Sequence, residues 1–208
     1  MDVKQSYNIW AEQYDTEENK TRDLEAISLK ETVPDVKYEN CLEIGCGTGK
    51  NTIHLLTMAK HITAVDFSEE MMNKAKEKIR SPDVVFVKSD ITEEWDFADG
   101  KYDLITFSLV LEHTENPEEI FRKSSGVIKQ GGYVYIGELH PFRQYNGTKA
   151  RFIKENNTHV LKCFNHSVSD FIQPVLKYGF EISDLREYYD DKDRAGIPRI
   201  LAILLRKK

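Results

Sequence analysis

The sequence feature that most constrains this chain is a glycine-rich segment, GCGTG at residues 45–49, directly after the short apolar run of residues 41–44. A strand that ends in glycines before a helix begins lets the backbone turn tightly and lets a ligand approach the main chain without meeting a Cβ atom. The N–H groups at the start of such a helix suit anions and the polar edges of ligands. The segment therefore predicts a ligand-binding turn between a strand and a helix.

Strand-like and helix-like segments alternate on both sides of this turn. Five strands are expected at residues 41–44, 61–65, 84–88, 102–107 and 133–138. The helices between them are expected at 49–59, at 68–80 and from 117 to about 129. This alternation predicts a parallel sheet with helices on both faces.

The chain ends in two further apolar segments, 181–189 and 199–206. The stretch that joins them is short, charged and contains glycine and proline. A connection of this kind favours antiparallel pairing, because parallel strands need a longer crossover. Seven strands are therefore expected in all, with the last two forming a hairpin.

Two segments lie outside the alternation. Tyr7, Trp10 and Tyr14 recur at helical spacing over residues 3–14, and a second helix is expected at 22–33, so residues 1–35 are interpreted as a helical cap. Residues 139–166 form an excursion longer than the roughly 12–15 residues usual for a connection, which favours a lid or a binding insertion. Within the excursion, 150–154 and 158–164 predict a hairpin. We expect residues 1–208 to form a single domain.

Polar side chains follow three successive strands. Asp66 lies about 20 positions after the first glycine of the turn, where an acidic residue can reach a ribose hydroxyl in nucleotide-binding folds. Asp90 and Ser108 end the third and fourth strands. Ligands of such sheets bind outside the carboxyl ends of the strands, so these residues are expected at one rim.

The glycine spacing bears on which nucleotide binds there. Nicotinamide-binding sites carry GxGxxG, whereas this chain has GxGxG with lysine at position 50 and has Glu43 inside the first strand. A nicotinamide-dependent oxidoreductase is therefore an alternative rather than the first hypothesis. A second alternative is a non-catalytic binding module, because a fold alone does not decide function.

Five sequence motifs, taken in their order along the chain, resemble those of a known protein family. LEIGCGTG, AVDFSEEMM, SDI, YDLITFSLVLEH and IKQGGYVYIGE resemble the successive motifs of class I S-adenosylmethionine-dependent methyltransferases of the small-molecule type. The resemblance covers residues 38–138 in detail and 165–206 in outline. It implies a Rossmann-like α/β fold: a seven-stranded sheet, mostly parallel with an antiparallel C-terminal hairpin, helices on both faces and an N-terminal helical cap.

The resemblance also implies S-adenosylmethionine as cofactor and assigns roles by position. The glycine turn, Gly45-Cys46-Gly47, would pass under the methionine part, and Glu43 would organise that turn. Asp66 would bind the ribose. The remaining contacts implied are Phe67 and Met71 flanking the adenine, Asp90 and Ile91 at the adenine edge, Ser108 and Leu109 near the sulfonium, Tyr14 closing over the cofactor and Arg22 at the methionine carboxylate.

Methyl transfer from a sulfonium is an in-line displacement in which positioning contributes most. An acceptor hydroxyl or ammonium must still lose a proton, and a base within hydrogen-bond reach would help. The candidates at the expected rim are His113, Glu138 and His140. His113 is equally interpretable as a cap of the next segment, and His140, before a proline, as an ordinary loop residue.

Charge, motifs and composition limit the classes of partner that this chain is expected to bind. The net charge of −6 and the absence of an Asn/Asp-Pro-Pro-aromatic motif after the fourth strand disfavour nucleic acid and favour a small-molecule acceptor. No apolar run approaches the ~20 residues that span a bilayer, so no membrane partner is expected. Three cysteines without CxxC spacing suggest neither disulfides nor a metal site and fit the cytoplasm. Monomer and homodimer both remain open, as does the acceptor's identity.

Overall fold

A seven-stranded mixed sheet lies at the centre of the molecule in a computed structural model that describes residues 2–98 and 100–208. Its strands are β1 Tyr38–Ile44, β2 Ala59–Asp66, β3 Val84–Lys88, β4 Tyr102–Ser108, β5 Ile128–Leu139, β8 Phe180–Tyr188 and β9 Ile200–Lys207. They are arranged in the order β3-β2-β1-β4-β5-β9-β8. The first five are parallel and β9 is antiparallel to both of its neighbours, as expected.

Helices cover both faces of the sheet. Their bounds are α1 Val3–Trp10, α2 Lys20–Thr32, α3 Lys50–Leu55, α4 Glu69–Lys78, α5 Pro117–Val127, α6 Pro141–Tyr145 and α7 Val168–Lys177. Ile120 of α5 and Phe171 of α7 belong to one buried cluster, whereas Leu29 of α2 and Met72 of α4 belong to another. Apolar side chains on both sides explain why consecutive residues of β1 and β4 are buried rather than alternate ones.

Two helices are shorter than their sequence patterns predict. The first ends at Trp10 rather than at 14, and the chain then continues in turns. The third ends at Leu55 rather than at 59, because β2 already begins at Ala59 and the N–H of Tyr38 donates to the carbonyl of Met58. In both cases the apolar side chains continue past the helix, so periodicity alone overestimates its length.

The insertion contains the expected hairpin, β6 Arg151–Lys154 paired with β7 Asn157–Val160. Glu155 and Asn156 both have positive φ angles, of 50° and 61°, as the favoured two-residue hairpin turn requires. The second arm ends at Val160 rather than at 164, because the chain then turns inward and Phe164 N–H donates to the carbonyl of Glu112 over 2.8 Å.

The cap and the insertion meet over the carboxyl ends of the strands. Trp10 is 3% exposed, and its ring stacks on that of Phe152 with the centroids 5.3 Å apart. This contact covers the region that the glycine turn faces. Along residues 2–98 and 100–208, no helix has both the length and the apolar character needed to cross a membrane.

Candidate functional site

The turn after β1 is left-handed at three glycines. The φ angles are +76° at Gly45, +52° at Gly47 and +81° at Gly49. A Cβ atom on Gly45 would lie 1.9 Å from Cγ2 of Val110, so only glycine fits this position. The N–H groups of Gly45 and Cys46 both donate to the carbonyl of Val65, which holds the turn against the end of β2.

Asp66, the last residue of β2, connects this turn to the next. Its Oδ2 accepts from the N–H of Gly47 and its Oδ1 accepts from the N–H of Ser68, each over 2.8 Å. Burial raises the pKa of this carboxyl to about 6, and the backbone donors reduce that rise. The side chain is therefore held rigidly, with acceptor positions left for a ligand.

A cavity of about 550 Å³ opens beside these two turns. It brings together most of the residues that the sequence assigned to the cofactor: Tyr14, Gly45, Gly47, Asp66, Phe67, Met71, Asp90, Ile91, Ser108 and Leu109. His113, one of the three candidate bases, also lines it. We call this space the donor cavity.

A second cavity, of about 690 Å³, lies under the cap and the insertion. Trp10, Glu112 and Phe152 line it, and it shares Tyr7, Tyr14 and Leu109 with the donor cavity. We call this space the acceptor cavity. Glu112 and the double role of Tyr7 were missed by sequence analysis, which placed Tyr7 only on the apolar face of a helix.

Sequence comparison finds similarity to methyltransferases over about half of this chain. A family model described as a methyltransferase domain matches residues 42–136. The demethylmenaquinone methyltransferase of Clavibacter sepedonicus is 30% identical over 114 residues, which are 54% of this chain and 46% of that protein. The chain thus spans about half the length of this curated relative.

Solved structures show the same fold over nearly the whole chain. A structure from Listeria monocytogenes, described as a putative S-adenosylmethionine-dependent methyltransferase, has a TM-score of 0.74 at 24% identity and covers 89% of this chain and 99% of its own. The complex of DhpI with SAH has a TM-score of 0.75 at 20% identity and covers 98% of this chain and 94% of its own. These structures share the fold of this chain, and residues 42–136 are similar to a methyltransferase domain.

Two of the residues assigned to the cofactor, Glu43 and Cys46, pack against the glycine turn and do not line the donor cavity. Glu43 is buried, and its Oε2 accepts from the hydroxyl of Thr52 over 2.6 Å; burial raises its pKa to about 8. Cys46 is buried too, and its N–H donates to the carbonyl of Val65 over 3.0 Å.

Arg22 lines the acceptor cavity. Its guanidinium is 4.0 Å from the ring centroid of Tyr14 and donates to the carbonyls of Tyr14 and Glu17. Its Nε is buried without a hydrogen-bond partner in the part of the chain that the structure describes. Arg22 therefore lines the acceptor cavity and not the donor cavity.

Glu138 and His140 lie outside both cavities. Glu138 Oε1 accepts from the N–H groups of Val110 and Leu111 over 2.9 and 2.8 Å, and burial raises the pKa of Glu138 to about 8. His140 is fully buried: its Nδ1 accepts from the N–H of Phe142 at the start of α6, and its Nε2 donates to Glu187 over 3.0 Å. Both side chains orient backbone near the site.

His113 is the one of the three candidate bases that lines a cavity. Its Nδ1 lies 3.1 Å from the carbonyl oxygen of Lys162, which only accepts, so Nδ1 carries the proton. Its Nε2 then accepts from the hydroxyl of Tyr7 over 2.9 Å. Because the Tyr7 ring lines both cavities, this pair connects the imidazole to the region where the cavities meet.

Proposed function

We propose that this chain transfers the methyl group of S-adenosylmethionine, bound in the donor cavity, to a small molecule in the acceptor cavity. The observation that carries the proposal is the common wall of the two cavities, Tyr7, Tyr14 and Leu109. In-line displacement needs the sulfonium and the acceptor atom in contact along one direction. Two cavities that meet at three side chains provide that arrangement.

The donor cavity fits the cofactor by its chemistry. At Gly47, where a Cβ atom would meet nothing within 4 Å, a ligand can approach the backbone, and the fixed carboxylate of Asp66 supplies acceptors for the ribose hydroxyls. We assign Phe67 and Met71 to the adenine faces, Asp90 and Ile91 to its edge, and Ser108 and Leu109 to the neighbourhood of the sulfonium. Glu43 and Cys46 act by shaping the turn.

Arg22 is assigned to the methionine carboxylate. Its buried Nε, which lacks a partner among the described residues, supports this role because a planar guanidinium binds carboxylates well. The Arg22 guanidinium also packs against Tyr14, a residue of the common wall. The residue would thus hold the donor at the side from which the acceptor approaches.

His113 is assigned to the reacting groups through Tyr7. Its Nε2 accepts from the Tyr7 hydroxyl, whose oxygen keeps a lone pair for a hydrogen bond from the acceptor. Glu138 and His140 are retained only as positioning residues, since Oε1 of Glu138 accepts from backbone N–H groups, His140 contacts Glu187, and neither residue lines either cavity. Methyl transfer itself needs no covalent enzyme intermediate.

A small acceptor is supported by the position of the acceptor cavity between cap and insertion, and by the quinone substrate in the name of the Clavibacter relative. The net charge of −6 supports an acceptor other than nucleic acid. The three cysteines are all free, which supports a cytoplasmic location. We propose a single catalytic domain, acting as a monomer or homodimer.

Calorimetric titration with S-adenosylmethionine, and in parallel with NADH and NADPH, tests the proposal. We expect S-adenosylmethionine alone to bind, and Asp66→Asn to weaken it about 10- to 100-fold through lost charged hydrogen bonds. Asp96→Asn is the matched control, because Asp96 is exposed and lines neither cavity. Binding of a nicotinamide nucleotide instead would establish the oxidoreductase alternative, and binding of none would point to a non-catalytic module.

A further inference from the structure

Three side chains with metal-binding atoms converge where the insertion packs against the turn after β4. Glu112 and His113 belong to a short 3-10 turn, Leu111–His113, and Cys163 belongs to the insertion. One ligand atom from each lies within 4.8 Å of the other two. No role in the proposed methyl transfer uses Glu112 or Cys163.

Glu112 presents a carboxylate oxygen that lacks a partner. The residue is 4% exposed, and its Oε2 is buried without a hydrogen-bond partner anywhere in residues 2–98 and 100–208. Its Oε1 is 3.9 Å from His113 Nε2. A buried carboxylate with an open acceptor is costly, and a bound cation would remove that cost.

His113 is oriented as metal-binding histidines are. Such residues usually donate their other ring N–H to a carbonyl or carboxylate, which fixes the tautomer and directs the lone pair at the metal. Here Nδ1 donates to the carbonyl of Lys162, and Nε2 lies 3.9 Å from Oε1 of Glu112. The Tyr7 hydroxyl now donates to Nε2. A cation at Nε2 would take its place, so the Tyr7-bound and metal-bound states of His113 are alternatives.

We propose that Glu112, His113 and Cys163 bind one zinc ion. A thiolate, an imidazole and a carboxylate are the ligand types that zinc prefers, and three protein ligands with an open fourth position are typical of its catalytic sites. Tetrahedral bonds of about 2.0–2.3 Å require ligand atoms about 3.5 Å apart. The cluster would therefore contract by roughly 1 Å on binding, with the thiol proton released to solvent.

The site borders both cavities. Glu112 lines the acceptor cavity and His113 lines the donor cavity. A zinc ion there would polarise a hydroxyl or thiol of the acceptor and lower its pKa. That role rests on the proposed function, whereas metal binding does not, so the two are tested separately.

The test is titration of chelator-treated full-length protein with Co²⁺ and then Zn²⁺, without cofactor or acceptor. We expect one equivalent of Co²⁺ to produce visible bands of tetrahedral cobalt and a near-ultraviolet thiolate charge-transfer band. Zn²⁺ should abolish both bands by displacement. Zn²⁺ should also raise the midpoint of thermal unfolding, because a ligand that binds only the folded state stabilises it.

Two variants test the ligands, and a third variant is the control. Cys163→Ser should abolish the charge-transfer band, while Glu112→Gln should keep that band but weaken Zn²⁺ binding by about tenfold or more. His61→Asn is the control, because His61 is half exposed and pairs with Asp83 away from the cluster. S-adenosylmethionine binding by each variant reports whether it has folded.

A charge-transfer band that survives Cys163→Ser, or a Zn²⁺ affinity equal in all three variants and the original chain, would overturn the proposal. So would the absence of any cobalt spectrum in a protein that still binds S-adenosylmethionine. If the original chain does not bind S-adenosylmethionine, the proposed function is contradicted. The result for the metal is independent of that outcome.

Discussion

At the scale of single residues, Gly45 and Gly47 exclude a side chain for different reasons. Both have positive φ, but a Cβ atom on Gly45 would meet Val110 at 1.9 Å, whereas a Cβ atom on Gly47 meets nothing within 4 Å. Gly47→Ala should cost only the left-handed backbone strain of about 1–2 kcal/mol. Gly45→Ala should cost a further 1–3 kcal/mol or so, because Val110 must move.

Urea unfolding of the two variants without cofactor measures this difference. The pair is matched, since both positions lie in one turn and both substitutions add one methyl group. Equal losses of unfolding free energy would show that Val110 yields without cost and that strain alone excludes side chains there.

The pH dependence of cofactor binding follows from Asp66. Burial raises its folded pKa from 3.8 to about 6, so between roughly pH 4 and 6 the folded protein keeps a proton that the unfolded chain has lost. Its contribution to folding stability therefore falls as pH rises through that window. Cofactor binding changes in the opposite direction, because ribose hydroxyls need the ionised carboxylate as acceptor.

We therefore expect S-adenosylmethionine affinity to be constant above about pH 6 and to fall by up to about tenfold per pH unit below it. Glu43, with a pKa of about 8, keeps its proton between about pH 4 and 6 and adds no second step in that window. Calorimetry across this range checks the profile. Asp66→Asn should bind weakly with no such step, and a step that persists in Asp66→Asn would assign the titration to another group.

At the scale of elements, the cap is attached to the sheet by polar contacts that no helical pattern indicates. Asp15 accepts from the hydroxyl of Thr48 over 2.6 Å and from Lys78 over 2.8 Å. Asn8 in α1 accepts from the hydroxyl of Ser68 over 2.7 Å. These contacts join the cap to both turns that border the donor cavity.

Asp15→Ala should loosen the cap while leaving the sheet intact. We expect a loss of about 1 kcal/mol in unfolding free energy, since the carboxylate is partly exposed and screened. Amide hydrogen exchange in α1 should be faster, and so should dissociation of S-adenosylmethionine. Glu12→Ala is the control, because Glu12 is 84% exposed and only approaches Lys154 at 3.8 Å. Equal exchange in both variants would contradict this attachment.

The elements themselves were largely predictable. The seven strands and their directions follow from apolar runs, glycine turns and the short final connection, each a local signal. Element ends were less predictable: α1 and the second arm of the insertion hairpin both end earlier than expected. Their ends are set by where the chain turns inward to other segments, which periodicity does not contain.

At the scale of the whole molecule, the sequence by itself determined the parallel sheet, the glycine turn and the acidic residue that follows it. These features depend on short spacings within single strand–turn–helix units, so the chain order carries them. The gathering of Gly45, Asp66, Asp90 and Ser108 at one rim follows as well, because parallel strands end at the same edge.

The tertiary structure alone decided which polar side chains face the cavities. His113 and His140 follow neighbouring strands and look alike in sequence, yet His113 lines the donor cavity whereas His140 is enclosed by its own helix cap and Glu187. The approach of Cys163 to Glu112 depends on how a long insertion folds back onto the sheet. Contacts between segments so far apart are set by packing rather than by local spacing, and no pattern in the chain encodes them directly.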